Sequence, residues 1–143
     1  MTPADLALIQ RDAAVFTDRP DEYARAFYAT LFELAPESRG LFPDDMAAQR
    51  TKLTDELRVL LDAADVLRTG ASLAEFAARG RDLGRRHREY GVTAAAYAPV
   101  GVALVAALRE TITGFDDEHA AAWQRLYQVV ADTMREGALD PAG

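Results

Sequence analysis

His87 is the residue in this chain best suited to carry chemistry. It lies in Leu83-Gly84-Arg85-Arg86-His87-Arg88-Glu89-Tyr90-Gly91-Val92 and is one of two histidines. On a helix it shares a stripe with Leu73, Phe76, Gly80, Leu83 and Gly84, which recur at one-turn intervals. That stripe faces the interior. An imidazole there needs a partner, because an unpaired buried polar group costs roughly 1–3 kcal/mol. One partner is a backbone carbonyl, which makes His87 an ordinary core residue. The other is a metal, for which histidine is the commonest protein ligand. No second His, Cys or carboxylate stands at ligand spacing on the stripe, which argues against a bare zinc site. A metal that brings most of its own ligands, as haem iron does, needs only one proximal histidine. Gln49 is also out of pattern, because it leads the otherwise apolar stripe Leu53, Leu57 and Leu60. His119, just after Asp116-Asp117-Glu118, is expected on the surface.

Composition narrows the classes. A chain of 143 residues, half of them hydrophobic, suits one domain with a full core. The net charge of −7 disfavours nucleic acid and anionic membranes as partners. Cysteine is absent, so no thiolate or disulfide chemistry is available. The start Met1-Thr2-Pro3-Ala4-Asp5 does not read as a signal peptide, and no apolar run is long enough to span a bilayer. The expectation is a soluble cytoplasmic protein.

The elements that must position these residues are all helical. Good helix formers dominate and no strand alternation occurs. The breakers predict a helix from Pro3 to Phe16 and a second opening at Pro20. That second helix carries Tyr23, Phe27 and Leu31 on its core stripe, with Tyr28 on an adjacent face. A short turn follows from Pro36. The next helix runs over about 45–62, capped by Asp44 or Asp45. Ser72 and Glu75 form a capping box for the His87 helix, which Gly91 ends. A long helix spans about 93–113, and a last one ends near Glu136. The chain reads as a single domain over 1–143, with its core in about 3–136 and a frayed tail over 137–143. Unequal helices and the corner argue against a plain four-helix bundle.

The landmarks Phe27-Tyr28-Ala29-Thr30-Leu31-Phe32, Ala35-Pro36-Glu37, Leu41-Phe42, Gln49-Arg50-Thr51-Lys52-Leu53, Arg86-His87, Tyr90-Gly91-Val92, Tyr97-Ala98-Pro99-Val100-Gly101 and Ala122-Trp123 with Tyr127 occur in one order. On these, the chain resembles bacterial single-domain globins and the haem domain of flavohaemoglobins, from about Tyr23 to Met134. The resemblance implies an all-α globin fold, with helices packed around a haem pocket and no separate D helix. It implies haem b (iron protoporphyrin IX) as the cofactor, with His87 as the proximal iron ligand.

Further roles come with the resemblance. Arg86 would lie nearest the haem propionates, and Phe42 would stack on the haem. Tyr28 would be the distal tyrosine, donating to bound dioxygen. Gln49 would be the distal glutamine, with Leu53 above the haem one turn on. The segment between Phe42 and Gln49 is shorter than in flavohaemoglobins, which leaves Lys52 as an alternative occupant of the pocket. Val92 and Tyr97 fall on the proximal side. Flavohaemoglobins add a last-helix glutamate there. Here Ala138 takes the matching position and Glu136 is out of register, which argues against strong electron push. Gly80, Gly84 and Gly91 either let a flat macrocycle approach the backbone or let two helices meet closely.

Several functions fit. One is dioxygen binding or transport at a five-coordinate iron, with nitric oxide and carbon monoxide as further ligands. Another is nitric oxide dioxygenation. That needs a reductant, and no G-x-G-x-x-G motif is present, so a separate reductase is expected. The alternative is a gas sensor or redox module acting through a partner protein. Monomer and homodimer both remain open.

Overall fold

Helix formation starts at the second residue. Thr2 Oγ1 accepts from the Asp5 amide at 3.1 Å, and Asp5 Oδ2 accepts from the Thr2 amide at 3.0 Å, with Pro3 opening the helix. A computed structural model describes residues 2–68, 73–89 and 96–139, the side chains of 63–68, 73–77 and 138–139 excepted. The order is α1 (Pro3–Asp12), α2 (Val15–Asp18), α3 (Pro20–Leu34), a 3-10 turn (Pro36–Leu41), α4 (Ala47–Arg68), α5 (Leu73–Glu89), α6 (Tyr97–Thr111) and α7 (Asp117–Leu139). No strand occurs among the described residues. None of their helices is long and apolar enough to cross a membrane.

The all-α plan agrees with the sequence reading, and residues 42–46, between the 3-10 turn and α4, form no helix. The boundaries differ in places. The expected helix over 3–16 breaks after Asp12, where Phe16 and Thr17 donate to Ala13 and Ala14 in tighter three-residue bonds. The break turns both Asp12 and Phe16 toward Trp123 of α7. α4 runs beyond the expected end at residue 62, and Asp45 caps it by accepting from the Ala47 amide. α7 continues to Leu139, so the tail is not frayed from residue 137: Gly137 is buried. The Ser72 cap and Gly91 lie outside the described residues.

The helices pair as α5 on α7 and α3 on α6. Between them lie Phe16, Tyr23, Leu108 and Trp123, all buried. The Tyr23 hydroxyl donates to the Leu104 carbonyl at 3.0 Å, which satisfies the one polar atom of a fully enclosed ring.

Glycines make the α5–α7 contact unusually close. A Cβ on Gly84 would stand 1.9 Å from the Met134 carbonyl oxygen, and one on Gly137 would stand 1.8 Å from that of Arg81. Gly80 similarly meets Thr133. The bare faces of Gly80 and Gly84 therefore admit a helix, which corrects the reading that they expose backbone to a flat macrocycle. Because the obstruction at Gly84 is backbone, Gly84→Ala must push the helices apart. We expect a loss of about 1–3 kcal/mol in unfolding free energy, read as a lower urea midpoint at constant m. An unchanged midpoint would mean that the seam yields freely.

Candidate functional site

Tyr28 leans inward from α3 and is 6% exposed. Its stripe is Tyr23, Ala24, Phe27, Tyr28 and Leu31, so it belongs to the buried face rather than a neighbouring one. Gln49 Nε2, near the start of α4, donates to its hydroxyl oxygen at 3.1 Å. Receiving that bond leaves the phenol's own proton free to be donated elsewhere. Burial raises the Tyr28 pKa, against a smaller lowering by Gln49, so the phenol keeps its proton at neutral pH. Phe32 stacks on the Tyr28 ring at 5.7 Å, and Phe42 meets it edge-on at 5.4 Å. Tyr28, Gln49 and Phe42 thus come together in one cluster. Lys52, the alternative to Gln49, is exposed.

The same face of α4 continues toward α5. Leu53 follows Gln49 by one turn and is half-buried against the core. Glu56, a further turn on, accepts from Arg86 Nη2 at 3.1 Å. Seven residues of helix separate the two contacts, about 10 Å along the axis. Arg86 also donates from Nε to Asp82 at 3.1 Å, so its fork ties α5 to α4 through carboxylates of this chain.

His87 is half-buried on α5 beside that bridge. Its Nδ1 stands 2.8 Å from the Leu83 carbonyl oxygen. A carbonyl only accepts, so Nδ1 carries the proton and the neutral ring presents an Nε2 lone pair. Burial lowers its pKa, the Leu83 bond opposes this, and Arg86 lowers it further against Glu56. The carbonyl partner and the metal-ligand role, alternatives in the sequence reading, are compatible: one nitrogen is held, and the other keeps a lone pair to offer. No cluster of three or more metal-ligating side chains occurs among the described residues. Among these residues, a metal at His87 would need to bring its other ligands. Half-buried Phe42, Leu53, Leu57, Leu60 and Leu61 retain apolar surface that a flat organic group could cover.

Tyr97, at the start of α6, is buried, and the Arg135 guanidinium lies 5.0 Å from its ring centre. Its carbonyl accepts from the Tyr127 hydroxyl. Glu136 turns away to pair with Arg81 at 4.0 Å. Val92 lies outside the described residues.

Burial pushes the Tyr127 phenol up to about 12; the Arg135 charge opposes this and Tyr97 adds to it. The unfolded phenol releases its proton near 10.0, so between those values the folded chain holds more protons. The stability Tyr127 contributes is therefore complete below pH 10 and is lost as pH rises towards 12. Tyr127→Phe should flatten the alkaline fall in unfolding free energy between about pH 10 and 12. Equal slopes in both proteins would contradict this.

His119 was expected at the surface and is 7% exposed. Its Nδ1 lies 2.7 Å from Asp12 Oδ2, which also accepts from Trp123 Nε1 at 3.0 Å. Sequence reading missed this because the two partners are over a hundred residues apart. Asp116 places the ring: its Oδ1 accepts from the His119 amide at 3.1 Å and caps α7.

The Globin family profile matches residues 25–134. Leghemoglobin from Psophocarpus tetragonolobus is 28% identical over 139 residues, covering 91% of this chain and 92% of its own. The deoxy haemoglobin structure from Mustelus griseus superposes with a TM-score of 0.78 at 17% identity, covering 96% of this chain and 99% of that one. A bacterial globin from Campylobacter jejuni gives 0.77 at 18% identity, covering 96% of each chain. At such identities these two structures speak to the fold alone.

Proposed function

Because this chain belongs to the globin family, whose members bind haem and diatomic gases, we propose that it holds haem b through His87 and binds dioxygen reversibly beside Tyr28 and Gln49. The observation that carries this reading is the buried Tyr28 phenol, which receives a hydrogen bond from Gln49 and keeps its own proton to give. Haem iron, when bound, supplies reversible ligation of diatomic gases. The chain's residues do the rest. His87 offers Nε2, and the Leu83 carbonyl fixes the ring's tautomer and plane. Tyr28, buried with its proton available, would donate to the negative end of a diatomic ligand, in a setting that needs no reorganisation. Gln49 holds the phenol in place. Phe42 and Leu53 exclude water from the same face. Arg86, whose Nε and Nη2 donate to Asp82 and Glu56, would offer Nη1 to the propionates.

The donor pair also favours a second reading, nitric oxide dioxygenation. In that reaction nitric oxide and dioxygen combine with one electron to give nitrate, and a separate reductase provides the electron. Arg135 lies over Tyr97 and Glu136 pairs with Arg81, so Glu136 is not the carboxylate that strengthens His87 as a donor.

The test is an absorption spectrum of the haem-loaded protein, ferric and ferrous, with and without carbon monoxide. The Soret band should shift with carbon monoxide. Tyr28→Phe should then speed dioxygen release by about tenfold or more, the scale of one lost hydrogen bond to a charged acceptor. Release at the parent rate would remove Tyr28 from the ligand's surroundings.

A further inference from the structure

We propose that Arg39 is a positioning residue that sets the height of Gln49 against Tyr28. The inference rests on the distal roles proposed above for that pair. Residues 42–46 link the 3-10 turn to α4 with no helix of their own. The guanidinium of Arg39 ties three successive residues of this corner together. Arg39 Nη1 donates to the carbonyls of Phe42 at 3.3 Å and Pro43 at 3.0 Å, and Nη2 donates to that of Asp44 at 3.3 Å. Its Cζ lies 5.3 Å from the centre of the Phe32 ring. Phe32 stacks on Tyr28 and packs against Phe42 at 5.7 Å. Arg39 thus grips the backbone leading to Gln49 and one of the rings enclosing Tyr28.

The bond between Gln49 and Tyr28 joins two helices, so it forms only if α4 starts at the right level. The ion pair of Arg50 with Asp21, 2.7 Å long, tethers α4 to α3 one residue beyond Gln49. It does not support the corner before it. An arginine suits that task because its planar fork donates in several directions while its face stacks on an aromatic ring. Lysine can donate to carbonyls but cannot stack or fork in this way.

The experiment compares the haem-loaded parent with Arg39→Ala, Arg39→Lys and Tyr28→Phe. The readouts are the C–O stretch of the ferrous carbon monoxide complex and amide hydrogen exchange over residues 42–50. In Arg39→Ala the stretch should split, with one component at the Tyr28→Phe frequency. Dioxygen release should quicken about three- to tenfold. Exchange over 42–50 should rise while the iron–histidine stretch stays at the parent value. Arg39→Lys should fall between the two, and it carries the test if the alanine variant does not fold. A single parental band in both Arg39 variants, beside a shifted band in Tyr28→Phe, overturns the role of Arg39 and leaves the function standing. An unshifted band in Tyr28→Phe removes both.

Discussion

His87→Ala is expected to lower haem retention by more than about 100-fold, because loss of the outer groups around a metal ligand alone costs 10–100-fold. The measurement is the rate of haem transfer to an excess of a competing apoprotein. The fold should survive. His87 is only half-buried, and among the described residues its hydrogen bond is to a carbonyl within its own helix, so truncation leaves no distant described group unpaired. Circular dichroism should therefore match the parent. Added imidazole should restore a five-coordinate spectrum, since the lost group is a single lone pair in a space shaped for that ring. Haem held as tightly as by the parent would make His87 a core residue satisfied by Leu83 and nothing more.

Asp12→Ala should cost about 3–5 kcal/mol, because each of two buried donors left unpaired costs roughly 1–3 kcal/mol. The carboxylate is 3% exposed and takes two hydrogen bonds, from His119 and from Trp123. Its loss strands two donors in the core between α1 and α7. For a chain of this length the melting temperature should fall by roughly 10 °C or more. Asp12→Asn keeps an acceptor oxygen and should fall by less. His119→Ala should also cost less than Asp12→Ala, because it strands one partner rather than two. Haem affinity should change little in all three, since the cluster shares no hydrogen bond with Tyr28, Gln49 or His87. A melting temperature within a degree or so of the parent's in Asp12→Ala would show that water reaches the cluster.

Much of the architecture was legible in the residues. Pro20, Pro36 and Gly114 mark where helices begin or end, because each imposes a backbone angle or removes a donor. The stripe Tyr23, Phe27 and Leu31 showed which face of α3 turns inward. Tyr28 was less legible. A helix spreads its buried face over more than one row, so a residue beside the main stripe can be as buried as those on it. Gln49 drew notice as a polar residue heading an apolar row, but only the fold supplies its partner. The break after Asp12 was invisible, since Ala13 and Ala14 are good helix formers and the bend serves contacts with α7.

The sequence by itself determined an all-helical chain, the approximate helix borders, and a histidine on an apolar helix stripe beside arginines. These follow from propensity and periodicity, which act over a few residues. The tertiary structure decided what each exceptional group meets. It put His119 against Asp12 in the core, Gly84 against the backbone of Met134, Arg86 between Asp82 and Glu56, and Gln49 on Tyr28. Periodicity states which face of a helix is apolar. It does not state which helix will face it, and the role of a buried charge, a bare glycine or an amide depends on that second helix.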